Sequence, residues 1–167
     1  MRYKKLRGIG RRINTLLSEI DDLTENITEN FRNENWELAL CNNYFLDSNK
    51  ISNRIKGKVI KQLTISFEKI ILNNAKKNYC YLLFIFPNEL SSSKILVLSN
   101  RDEFEDIIKN NLNKLTNYSD EQKQYLVNEF NLRLYNELQI SGVKKIYVMD
   151  TECKYDELWL FYKNRES

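Results

Sequence analysis

The sequence predicts an α+β fold, with a mostly antiparallel sheet of about five strands and about four helices packed on it. Three observations support this. Several segments repeat apolar residues every three or four positions, as amphipathic helices do. Shorter segments rich in aromatic and β-branched residues are typical of strands. The two most apolar strand segments are joined by a link too short for a parallel crossover.

The first helix is predicted from residue 13 to residue 31, where apolar side chains alternate with an acidic opposite face. A short alternating segment from Trp36 to Leu40 predicts a strand, and the polar residues 42–53 predict a loop. A second long helix follows. Its apolar residues are four apart, at Ile55, Val59, Leu63, Phe67 and Ile71.

Residues 79–86 are apolar, aromatic and bounded by Pro87, which predicts a central strand buried on both faces. Residues 95–98 are predicted to be its antiparallel neighbour, because the seven-residue link at 87–93 is turn-rich.

A third helix is predicted over residues 101–115, since acidic residues open it where the helix dipole favours them. A fourth helix is predicted to start at the capping box of Ser119 and Gln122 and to end before Gly142. The chain is then predicted to finish in a hairpin of residues 143–149 and 158–162, with a polar turn over residues 150–157.

Charge divides the chain into a basic N-terminal arm, residues 1–12, and a single α+β domain, residues 13–167. The net charge is 26 − 23 = +3. The arm alone contributes six cations and no acid, so the remainder is net negative. Those cations are Arg2, Lys4, Lys5, Arg7, Arg11 and Arg12.

Composition and motif spacing exclude several classes of enzyme. The chain has no histidine, which excludes Ser-His-Asp and Cys-His nucleophiles and HExxH zinc sites. The glycines around Gly8 and the Gly57-Lys58 pair do not have the spacing of dinucleotide or phosphate loops. We therefore expect no cofactor and no resident metal. The weaker hydrolase alternative would use Asp150, Glu152 and Lys154 as a metal site with an assisting lysine.

The three cysteines are far apart and form no CxxC pair, which favours a reducing cytoplasm over secretion. The basic start is not followed by a continuous apolar segment, so it does not resemble a signal peptide. The longest apolar run, residues 79–87, is far shorter than the roughly 20 residues that cross a membrane. We expect a cytoplasmic protein with no membrane span.

The candidate partner-binding residues come from the arm and from one side of the second helix. They are Arg7, Arg11, Arg12, Arg54, Lys58, Lys61 and Gln62. The favoured interpretation is a non-enzymatic domain that binds another protein, with an immunity or antitoxin-like role as its most concrete form. The alternatives are a nucleic-acid-associated protein that uses the same cations and a solvated helix face. The sequence carries no signal for an oligomeric state.

Five segments in a fixed order resemble a small family of uncharacterised bacterial proteins. They start at Lys5, Trp36, Gln62, Ser93 and Glu157, and read KLRGIGRR, WELAL, QLTI, SKILV and ELWLF. The resemblance implies a bacterial cytoplasmic protein without an assigned activity, and it implies that Arg7, Gly8, Arg11 and Arg12 belong to a recurring start.

Two departures from the family pattern are Lys94, where a Gln is expected, and Cys41, where a Pro is usual. If the family's Gln at the first of these positions is a contact residue, Lys94 changes that contact.

Overall fold

The structure is a computed structural model that describes residues 8–30, 35–74, 78–112, 144–150 and 155–163. Within these residues there are three α-helices, two short 3₁₀ helices and five strands. The helices are α1 (Ile9–Asn30), α2 (Asn53–Asn73) and α3 (Arg101–Leu112), with 3₁₀ helices η1 (Tyr44–Asp47) and η2 (Leu90–Ser92). The strands are β1 (Trp36–Ala39), β2 (Cys80–Ile85), β3 (Lys94–Leu98), β4 (Lys144–Asp150) and β5 (Tyr155–Lys163).

The strands form one sheet in the order β1-β3-β2-β5-β4, and each neighbouring pair is antiparallel. The predicted α+β class is therefore confirmed, as is the antiparallel return from β2 to β3. All six residues of β2 are buried, which confirms the central strand. Alternate side chains point to opposite faces of a strand, so β2 contributes to two separate cores.

One face of the sheet is covered by α1 and α2, which pack together with Tyr81, Leu83 and Ile85 in the larger core. The other face is covered by α3, whose Phe104 packs with alternate β2 residues in a smaller core. The ring of Phe104 meets the ring of Phe161 edge-on at 6.1 Å between centroids. The result is a layer of two helices, a sheet, and a single described helix on the far side.

The first helix starts four residues earlier than predicted. Ile9 packs against the larger core, and Gly8, directly before it, has a φ of 82° that favours glycine. Arg11 and Arg12 are therefore residues of this helix. The division of the chain at residue 12 into arm and domain stays a prediction.

Two predicted connections also differ from the structure. The loop prediction over residues 42–53 is wrong at η1, where Leu46 is fully buried, because one apolar side chain suffices to anchor a turn of helix. The turn prediction over residues 150–157 is too long, since Asp150 pairs with Tyr155. Backbone pairing in a hairpin continues to the turn even where the side chains are polar. The predicted fourth helix lies outside the described residues.

Candidate partner-binding surface

The two helices of the outer layer run in the same direction. At one end, the guanidinium carbon of Arg12 in α1 lies 4.1 Å from the ring centroid of Phe45 in η1, shortly before α2 begins. Toward the other end, Lys69 of α2 donates to the carboxylate of Glu25 in α1. Their N-termini therefore lie at the same end of the layer, although α1 and α2 are separated by more than twenty residues of chain.

This arrangement places five of the seven predicted partner-binding residues in the N-terminal halves of α1 and α2, which we call the basic end. Its members are Arg11, Arg12, Arg54, Lys58 and Lys61, and all five are exposed. On α2 the three cations are spaced by four and three residues, so they share one face of the helix. Gln62 is half-buried and lies beside this face. Arg7 lies outside the described residues.

The basic end concentrates positive potential. Neither helix has an acidic residue in its first turn, where an acid would offset the partial positive charge of the helix N-terminus. Two parallel N-termini and five cations thus add in the same half of the helical layer, where Glu19 is an acid that lines the adjoining groove. Such a field attracts an anionic partner and raises its association rate.

A groove of about 250 Å³ opens at the α1 side of the basic end. Its walls include Arg11 and Arg12 from α1, Glu19 about two turns further along, and Phe45 from η1. The Arg12 guanidinium lies over the half-buried ring of Phe45, a cation–π contact that holds the arginine in place. Guanidinium groups bind carboxylates and phosphates through paired hydrogen bonds, so this groove can receive either anion.

Sequence reasoning missed the exposed apolar residues around the cations. Tyr44 in η1 is 74% exposed, and Ile65 and Leu72 of α2 are 46% and 56% exposed. The signal for the two α2 residues was available. Ile65 lies four residues after Lys61, and Leu72 lies seven residues after Ile65. These intervals keep both on the helix face of the cations, so the cationic face continues into an aliphatic one.

Sequence reasoning also missed a polar cluster beneath the N-terminus of α2. The carboxylate of Asp47 accepts hydrogen bonds from the backbone N–H of Ser91, at 2.8 Å, and from the Ser91 hydroxyl. These bonds join η1 to η2 across 44 residues of sequence. Lys56 is buried in the first turns of α2, and burial lowers its pKa while the nearby negative charge of Asp47 opposes that shift.

The Lys56 cluster predicts a pH-dependent effect on stability. Because the folded-state pKa of Lys56 lies below its ordinary value of 10.5, keeping this lysine charged weakens the fold at neutral pH. This loss of folding stability disappears as the pH rises through the folded-state pKa of Lys56 toward its ordinary pKa. We expect Lys56→Met to be more stable relative to the wild type at pH 7 than at pH 10, measured by urea unfolding.

The matched control is Lys58→Met, an exposed lysine two positions away on the same helix. We expect its effect on the free energy of unfolding to stay within about 0.5 kcal/mol. A Lys56→Met difference that is the same at both pH values would contradict the assignment.

The residues of the hydrolase alternative are only partly described. Asp150 is the last residue of β4 and pairs with Tyr155, whereas Glu152 and Lys154 lie outside the described residues. Among the residues that the structure covers, no three acidic or sulfur-bearing side chains gather as a metal site would require. None of the described helices is long and apolar enough to cross a membrane.

Comparison with known proteins places the chain in a family. Residues 17–163 match the family described as "Protein of unknown function (DUF3916)". The match includes β1, β3 and β5 but begins after the basic start, so it supports an uncharacterised family and leaves the Arg-Gly motif a prediction. No curated protein and no solved structure matches the chain. Because the match spans most of its length, the chain belongs to the DUF3916 family.

Proposed function

We propose that this chain is a protein-binding domain that uses the basic end to dock onto an acidic surface of its partner. The observation that carries the proposal is that five exposed cations lie in the N-terminal halves of α1 and α2, which run side by side in the same direction. Like charges placed together repel one another and lower the stability of the free protein. An anionic partner relieves that repulsion, so binding restores the stability that the repulsion removes.

The chemistry of the basic end favours recognition over catalysis. Arginine and lysine side chains at neutral pH are hydrogen-bond donors with no acceptor capacity. They hold carboxylates or phosphates in place, which is what a docking surface requires. The same side chains serve poorly as general bases, because a base must accept a proton near neutral pH.

Two charges on α1 favour a protein partner over nucleic acid. Asp21 and Asp22 are exposed on α1, further from its N-terminus than the basic end. A long phosphate backbone that continued along the helical layer would meet these acids. A protein with a local acidic patch can contact the basic end and leave the rest of the layer free.

The most concrete form of the proposal is an immunity or antitoxin-like role in a bacterial cytoplasm. An inhibitor of this kind needs a surface that is complementary to its target and no catalytic residues of its own. The basic end would then cover an acidic patch of the inhibited protein.

A second candidate function is nucleic-acid binding, and one observation favours it. Tyr44 is 74% exposed and adjoins Phe45, against which Arg12 is packed. An exposed aromatic ring next in sequence to the arginine-bound Phe45 offers a face on which a single-stranded base can stack. Binding of this kind should weaken steeply with salt, since phosphate contacts release counterions.

The test is capture of partners from lysate of the source cells with the full-length protein, tagged at the C-terminus, with and without nuclease and at two salt concentrations. We expect a discrete protein that survives nuclease and is recovered about tenfold less by Lys58→Glu, because a charge reversal turns attraction into repulsion. The matched control is Lys109→Glu, since Lys109 is an exposed helical lysine on α3, across the sheet.

Nuclease-sensitive recovery that collapses with salt would favour the second candidate. Equal recovery by the wild type, Lys58→Glu and Lys109→Glu would refute a role for the basic end with either kind of partner.

A further inference from the structure

The outer face of α2 changes in character along its length. Its first half presents Arg54, Lys58 and Lys61, and its second half presents Ile65 and Leu72. The intervals of four, three, four and seven residues keep all five side chains on one stripe of a helix with 3.6 residues per turn. The buried residues of α2, such as Leu63 and Phe67, lie on the opposite side.

The stripe is long enough for an extended contact. From residue 54 to residue 72, a rise of 1.5 Å per residue gives about 27 Å, or five helical turns. Ile65 and Leu72 are about half exposed, although aliphatic side chains of this size are favourably buried. The half-buried Glu68 lies between them on the same stripe.

We infer that the partner segment that docks on α2 is an amphipathic helix with an acidic half and an aliphatic half. Its carboxylates would lie over Arg54, Lys58 and Lys61, and its aliphatic side chains over Ile65 and Leu72. This inference rests on the proposed function and specifies the partner chemistry. Such a helix would complement the charges at one end of the stripe and bury the apolar side chains at the other, as amphipathic helices do when they dock along apolar surfaces.

Two other occupants fit the stripe less well. A membrane rich in anionic lipid would attract the cations and accept the aliphatic residues. It would also press against two exposed acids of the adjacent helix, Asp21 and Asp22, which repel anionic lipid. Single-stranded nucleic acid would be drawn to the cations but has no aliphatic groups to bury Ile65 and Leu72.

The probe is a fluorescein-labelled synthetic peptide of about 20 residues, the length that matches the stripe. Glutamates occupy one face of one half, and leucines continue that face in the other half. Two versions are made, one with the glutamate half at the N-terminus and one with it at the C-terminus. A control peptide has the same composition with the glutamates and leucines interleaved. Affinities are measured by fluorescence anisotropy with the full-length protein.

We expect the protein to bind one of the segmented peptides at least about tenfold more tightly than the interleaved peptide. The double variant Ile65→Ser/Leu72→Ser should lose this preference. The matched control is Leu23→Ser, because Leu23 is 45% exposed on α1 and Ile65 is 46% exposed on α2. It should keep the preference.

Two further arms measure binding to vesicles of phosphatidylcholine and phosphatidylserine and to a single-stranded RNA of similar length. The inference is overturned if the interleaved and segmented peptides bind equally, if vesicles or RNA bind more tightly than the peptides, or if Ile65→Ser/Leu72→Ser leaves the preference intact.

The lysate capture separates this inference from the proposed function. If Lys58→Glu loses the captured protein and Ile65→Ser/Leu72→Ser does not, the basic end binds a partner and the amphipathic helix is wrong. If neither variant changes the capture, both proposals fail.

Discussion

Replacing Phe67 with alanine is expected to lower the free energy of unfolding by about 3 to 5 kcal/mol. Phe67 lies on the inner face of α2 and is completely buried in the larger core, between the helical layer and the sheet. Removing its ring takes away apolar burial and leaves a cavity that the surrounding strands cannot close. The loss is a large share of the roughly 5 to 15 kcal/mol of a typical domain.

The measurement for Phe67→Ala is urea unfolding followed by circular dichroism. The matched control is Leu72→Ala on the same helix, where the side chain is 56% exposed and we expect a change within about 0.5 kcal/mol. If Phe67→Ala does not fold, Phe67→Leu retains part of the volume and should show a smaller loss in the same direction. A loss below about 1 kcal/mol at Phe67 would contradict its place in the core.

Replacing Asp47 with alanine is expected to lower the free energy of unfolding by about 2 to 3 kcal/mol. The variant removes the carboxylate that accepts both hydrogen bonds from Ser91, whose side chain is 4% exposed. Two polar hydrogens of Ser91 then lose their acceptor. The negative charge of Asp47, which counteracts the lowering of the Lys56 pKa by burial, is lost as well.

The matched control for this cluster is Asp47→Asn, which keeps an acceptor oxygen and the size of the side chain. We expect it to lose less stability than Asp47→Ala, since hydrogen bonds to a neutral acceptor are weaker than those to a charged one. Because η1 and η2 are held together by this cluster, the Asp47→Ala loss should also appear as faster hydrogen exchange at the Ser91 amide. Equal stability of Asp47→Ala and the wild type would show that the cluster contributes nothing.

Local patterns in the sequence predicted most of the described elements. The four-residue spacing of apolar side chains on α2 and the uninterrupted apolar run of β2 depend only on the period of a helix and on burial of a strand from both sides. The same spacing placed Arg54, Lys58 and Lys61 on one outward face. The errors lie at element ends and in the polar segment 42–53, where the buried side chains of Leu46 and Ile51 are too few to form a periodic pattern.

The composition and periodicity of the sequence by themselves determined the α+β class, the absence of histidine chemistry and the cationic face of α2. Only the tertiary structure decided that α1 and α2 run parallel, so that Arg11 and Arg12 lie at the same end as that face. It also decided that Lys56 is buried and that Asp47 meets Ser91. The physical reason is that sequence patterns are local, whereas these contacts join residues far apart in the chain. Periodicity reports which side of one element faces inward, whereas contacts between elements depend on how those inward sides pack against a shared sheet.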